Sequence, residues 1–439
     1  MIVLFLFFVF AKCQGDILIK FHANCSSFDW IVFYVISTNI PIFIYWELTV
    51  ENSVSKKESK LRCLDSIRGV ASLAVVLSHL SLIYFVHLHN FSVGTISERF
   101  PVQQFLHQSF FGFLYSGTSA VFVFFVMSGI VLSRGIEKKS DEYYFLTSFT
   151  RYFRLAIPAT FSCLLMLLVL FFISGGAREF PGVSAWLDPF LISDPSLIGA
   201  FTYGALGSFV GGSVWDGYIY NPVLWTMKIE LIGSLFIYMA CIVYKRSKWQ
   251  SLSLFLLASL AIVPFSIPIA LGMICFFFGF VYSAFNITYK NNYVGLVLLI
   301  IGLYFAGVHN DSASYTWVTK LLGYRSYMFL NFLSGIFIVY GVLTSHSLSR
   351  MLENKGLVYL GKLSFPVYII HIPVIILTIY LTQGFATASV ASMLSVSAIA
   401  IAATLLLARF VVPVDDFSIS FSKRVYNKIT GLRMIRRTE

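Results

Sequence analysis

SIRGVASLAVVLSHLSLIYFVHL, residues 66–88, is an apolar run with an arginine and a histidine set into it, Arg68 and His79. Its length suits a helix crossing ~30 Å of hydrocarbon. Similar runs follow at about 118–134, 155–173, 222–244, 252–266, 268–285, 293–308, 327–344, 363–382 and 389–412, each bounded by charged or turn-forming residues. The pattern predicts an all-α, polytopic transmembrane bundle of ten core spans. Only Ser266, Ile267 and Pro268 separate the fifth and sixth runs, so one long kinked helix is the alternative there.

Composition agrees. Of 439 residues, 58% are hydrophobic and 12% charged, about half the charge a soluble chain carries. The net charge of +11 is not a nucleic-acid surface, because the basic residues lie between apolar runs rather than in one patch. With residues 50–65 placed inside, the outside loops hold only Arg99, Arg178, Lys320 and Arg325. This bias puts both ends of the core in the cytoplasm, and the plasma (inner) membrane is the expected location. Cys13, Cys25, Cys63, Cys163, Cys241 and Cys275 are scattered, with no CxxC pair and no metal-ligand spacing. Neither a disulfide framework nor a metal is expected.

The chain divides into an N-terminal segment 1–60, a membrane domain 61–412 and a basic cytoplasmic tail 413–439. Residues 30–49 are a candidate extra span. Residues 2–11 resemble the apolar part of a signal peptide without its positive start, so cleavage, an added helix and a misplaced start remain alternatives. No soluble appended domain is read. The outer loop 174–221 is rich in Gly and Pro (Gly175, Gly176, Pro181) and carries Trp186 and Trp215. Its aromatics suit either sugar rings or an interfacial belt.

Ionisable groups at bilayer depth cost about 2.5–3.5 kcal/mol each on insertion scales, so each needs a partner or a wet cavity. Arg68 and His79 are about 16 Å apart along one helix, close to three whole turns. Counting residues from the span ends puts His79 about 20 Å above the inner surface and Glu230 about 12 Å below the outer one. In a ~30 Å core these levels nearly coincide. The pair then reads either as a base with an orienting carboxylate or as groups of a structural ion pair, with Arg68 or Lys228 opposite Glu230. His371, about 12 Å above the inner surface, and Tyr368, one turn before it, are candidates to support the base or touch substrate, beside the plainer reading of His371 as a hydrogen-bonded core histidine. Arg151 and Arg154 open the third span and Arg134 ends the second. Their forked donors suit phosphates, and snorkelling at the interface would equally explain them.

These positions fall in motifs. LDSIRGVASLAVVLSH (64–79), FFVMSG (124–129), RYFRLAIP (151–158), LWTMKIE (224–230) and LGKLSFPVYIIHIPV (360–374) resemble, in order, LDxLRGxAxxxVxxxH, FFVLSG, RxxRLxP, LWSLxxE and LGxxSYxxYLxHxPV. Together they resemble the acyltransferase-3 family of integral membrane acyltransferases, which O-acetylate surface polysaccharides and other acceptors. The departures are one extra residue before Pro158 and Leu231 where the family often has a second Glu.

The resemblance implies a cytoplasmic acyl-CoA donor, commonly acetyl-CoA, and a hydroxyl-bearing acceptor such as a glycan or glycolipid. It implies His79 as general base or covalent carrier, with Glu230 orienting it. Arg68 would stabilise the oxyanion or hold the coenzyme, and Arg151, Arg154 and Arg134 would bind its phosphates. A proton-coupled transporter or flippase is the rival reading of the same buried charges, and a purely structural charge lock is the other.

Overall fold

A computed structural model describes residues 42–89, 100–173, 180 and 182–438. The apolar segment 2–11 lies outside them, as do Arg99, Gly175, Gly176, Arg178 and Pro181, most of the candidate span 30–49, and the side chains of its remainder. Among the described residues there is no strand.

Ten principal helices stand where the ten apolar runs were expected: α1 (Ile42–Tyr84), α2 (Gly117–Leu132), α3 (Asp141–Ile173), α4 (Trp225–Tyr244), α5 (Lys248–Ala261), α6 (Ile267–Ala284), α7 (Asn292–Ala306), α8 (Ser326–Thr344), α9 (Lys355–Thr382) and α10 (Val390–Thr438). Among the described residues, seven helical stretches are long and apolar enough to cross a membrane, while α2 and α7 are apolar but shorter. The fifth and sixth runs are two helices. Ser266 caps α6 by accepting from the Ile269 N–H, and Pro268 sits in the first turn, where its missing N–H costs nothing.

Two helices reach further than hydropathy suggested. α3 begins at Asp141, capped by Ser140, whose Oγ accepts from the Tyr143 N–H at 3.0 Å. Asp141 and Glu142 then lie in its first turn, where negative charge complements the helix dipole. Arg151 and Arg154 are therefore nearly three turns inside a helix rather than at its mouth. α10 runs on through Pro413, so the segment read as a tail from 413 continues the last helix. This extension lies against α3: Ser422 Oγ donates to Thr150 O at 3.1 Å, and Phe421 meets Phe153 edge-on.

Several glycines in the quoted motifs serve packing. A Cβ on Gly69 of α1 would lie 2.7 Å from the Gly361 amide N of α9, and one on Gly129 of α2 would overlap Phe276 O of α6. Only a bare backbone allows such approach. α3 packs against α4, α9 and α10, and α2 against α4, α6 and α8. The chain between α3 and α4 is organised around Asp216, which accepts from the Tyr220 hydroxyl (2.8 Å), the Tyr218 N–H (3.1 Å) and the hydroxyls of Ser196 (3.1 Å) and Ser213 (3.2 Å). Burial pushes its carboxyl up, but these donors outweigh it and hold the group below the usual range.

Candidate functional site

Glu230 on α4 is held from two sides. Arg151 Nη2 of α3 donates to its Oε1 at 2.6 Å, and Ser128 Oγ of α2 lies 2.9 Å from Oε1 and 3.2 Å from Oε2. Arg151 Nε donates in turn to Ser234 Oγ at 2.9 Å, one turn further along α4. The side chains are 9% and 14% exposed, so this is a buried ion pair with most of its donors and acceptors satisfied. The expected His79–Glu230 hydrogen bond is not formed. Glu230 spends its oxygens on Arg151 and Ser128, and neither Arg68 nor Lys228 is its partner. Lys228 Nζ donates instead to Val210 O at 2.9 Å.

This pair forms one wall of a cavity of about 180 Å³, lined among others by Arg68, Arg154, Tyr368 and Asp415. Arg151 is neutralised by Glu230. Among the described residues no carboxylate comes within ion-pair distance of Arg68 or Arg154, although Asp415 of α10 lines the same space. The cavity thus presents two guanidiniums whose charge the single carboxylate of Asp415 offsets only in part. Arg134 lies in the turn after α2, outside the lining. Tyr368 closes part of the wall, its hydroxyl donating to Val223 O at 2.8 Å beside Thr226 Oγ1 at 2.8 Å.

One turn beyond Tyr368 on α9 lies His371, fully buried, and it meets His79. His371 Nε2 is 3.1 Å from His79 Nδ1. His79 Nδ1 is also 2.9 Å from Val75 O, and His371 Nδ1 is 3.2 Å from Val367 O. A carbonyl only accepts, so each Nδ1 carries a proton and donates. His371 Nε2 is then a second acceptor for the one His79 Nδ1–H, which it shares with Val75 O. The His79 tautomer follows: its Nε2 bears a lone pair, and among the described residues it has no hydrogen-bond partner. His79 is partly exposed, whereas His371 is not. A second histidine thus fixes the orientation of the His79 ring, the task the sequence reading gave to Glu230.

Residues 61–409 match the family model for an acyltransferase domain, which takes in every residue of this site except Asp415. The chain belongs to the acyltransferase-3 family. Within this acyltransferase domain the quoted motifs converge on one region. LDSIRG supplies Arg68, FFVMSG supplies Ser128, RYFR supplies Arg151 and Arg154, LWTMKIE supplies Glu230, and the α9 motif supplies Tyr368 and His371. A fungal protein, the O-acetyltransferase PaAT-1 of Phomopsis amygdali, is 31% identical over 221 residues, covering 44% of this chain and 43% of that protein. The chain thus spans less than half the length of this curated relative. No solved structure matches it.

Sequence reasoning passed over Ser128, Ser234 and Asp415. Ser128 stood inside a quoted motif, but a serine in an apolar helix most often bonds its own backbone. Asp415 lay beyond the last apolar run, in the segment read as a tail.

Proposed function

We propose that this protein is a membrane O-acyltransferase that moves an acyl group, acetyl in the first instance, from acyl-CoA to a hydroxyl of a glycan, glycolipid or related acceptor. The observation that carries the reading is the His79–His371 pair, with its open His79 Nε2, one turn of α9 beyond a cavity lined by two arginines that are in no close ion pair among the described residues. That the partial relative is an O-acetyltransferase supports an acetyl donor. The arginine end faces the cytoplasm in this reading, in a plasma membrane with both core ends inside.

The donor's phosphates rest on Arg68 and Arg154, with Arg151 fixed behind them by Glu230. The pantetheine arm runs along α1 toward His79, about 16 Å from Arg68 by helical rise. His79 Nε2 takes the proton of the acceptor hydroxyl as its oxygen attacks the thioester carbonyl. The carbon–sulfur bond breaks, the ester bond forms, and the imidazolium returns the proton to the leaving thiolate. Nδ1–H stays hydrogen-bonded throughout, so the cation is stabilised without moving. General-base help of this kind contributes about 10²–10⁴-fold.

The test is protein purified into nanodiscs, given labelled acetyl-CoA and an acceptor panel, with products followed by mass spectrometry. Labelled ester and stoichiometric CoA are expected, and substrate movement without a donor would favour a transporter. Arg68→Gln and Arg154→Gln are each expected to raise the donor KM roughly tenfold or more, since a charge-assisted hydrogen bond is worth ~1.5–3 kcal/mol, with kcat changed less. Asp415→Asn, which removes a negative charge from the same cavity, is expected to lower that KM by about two- to fivefold. Unchanged donor dependence in all three would return these groups to a topological role.

A further inference from the structure

Trp186 has no role in the proton transfer, yet it touches the base. Its ring centroid lies 5.4 Å from that of His79, with the planes inclined at 44°, and Phe190 sits 5.2 Å from it on the same 3-10 turn, Ala185–Phe190. The turn is fixed in place. Ser184, just before it, donates its hydroxyl to Leu82 O at 2.7 Å and its N–H to Ile83 O at 2.8 Å. Those carbonyls belong to the last turn of α1, past His79 and away from Arg68, where a helix leaves acceptors to be satisfied. Leu187 is fully buried and locks the turn to the core.

Trp186 itself is only half-buried, and among the described residues its indole N–H has no hydrogen-bond partner. That donor is therefore open to a group from outside the chain. A tryptophan of an interfacial belt would turn its ring toward lipid, whereas this one is held against an imidazole. The site therefore has an arginine cavity on the Arg68 side of His79 and, on the far side, an aromatic face with a free donor.

We propose that Trp186 is the acceptor-side wall of the site. It holds a hydroxylated ring compound by stacking on its C–H face and by donating the indole N–H to a ring oxygen, which brings one hydroxyl to His79 Nε2. This rests on the acyltransferase reading above and adds the residue that receives and orients the acceptor's ring.

The test uses the full chain in nanodiscs with acetyl-CoA, methyl β-glucoside as ring alcohol and sorbitol as open-chain alcohol. Ester formation and CoA release are scored separately. The wild type is expected to acetylate the glucoside in preference to sorbitol. Trp186→Ala is expected to raise the glucoside KM about tenfold with the donor KM moved less than about twofold. Trp186→Phe, which keeps the stack and loses the donor, falls between them and serves as the folded control. Equal use of sorbitol overturns the proposal, as does a glucoside KM that Trp186→Ala leaves unchanged. CoA release with no ester on either alcohol also overturns it. Absence of CoA release under every condition strikes instead at the acyltransferase reading itself.

Discussion

Replacing His79 by Ala is expected to lower acyl transfer by about 10²–10⁴-fold, the usual worth of a general base, while the protein still inserts and folds. The expectation comes from the hydrogen-bond count. Nδ1 is committed as a donor to Val75 O and His371 Nε2, so every proton the acceptor loses must go to Nε2. His79 is not a keystone of the core. The substitution leaves His371 Nε2 without its donor, a cost of about 1–3 kcal/mol, which lowers stability without abolishing the fold. Initial rates with labelled acetyl-CoA, normalised to monodisperse protein by size-exclusion chromatography, check it. A His79→Ala protein within about threefold of wild-type turnover would remove the imidazole from the chemistry.

Glu230→Ala is expected to act first on stability, by about 3–5 kcal/mol, because it strands the Arg151 guanidinium in a site only 9% exposed. The double variant Arg151→Met, Glu230→Leu is expected to recover most of that loss, since an apolar pair of similar volume removes both charges together. Thermal unfolding of Arg151→Met, Glu230→Leu and the double variant in one detergent measures the coupling directly. A Glu230→Ala protein as stable as wild type but inactive would reverse the assignment and give the carboxylate a part in the reaction.

The positions of the helices were legible because apolar runs flanked by basic residues leave few alternatives. Their lengths were not. Residues 141–154 and 413–438 carry enough charge to look like loops, yet both continue helices, and one of them brings Asp415 to the cavity. The partner of His79 was hidden for a related reason. Counting from the ends of the apolar runs put His371 about 12 Å and His79 about 20 Å above the inner surface, yet the two rings meet, because the ends of an apolar run do not fix how high one helix stands against its neighbour. Glu230 illustrates the second obstacle. Depth along the bilayer normal can be counted, but which helices are neighbours, and how each is rotated, depends on close approaches such as Gly69 on Gly361. Arg151 lies one turn from Ser148 and three turns from Asp141 on a helix whose start was placed at 155, so its inward reach to Glu230 was hidden. The motifs held residues that come together in the structure, mixed with packing glycines, without showing which pairs would meet.

A cryo-EM structure of the protein in nanodiscs with a non-hydrolysable thioether analogue of acetyl-CoA puts the reading to its most direct trial. The expected density has the phosphates on Arg68 and Arg154 and the acyl carbon beside Nε2 of His79, with Nδ1 still on Val75 and His371. An analogue seated away from the arginine cavity, or an acyl group separated from His79 by packed side chains, would contradict it.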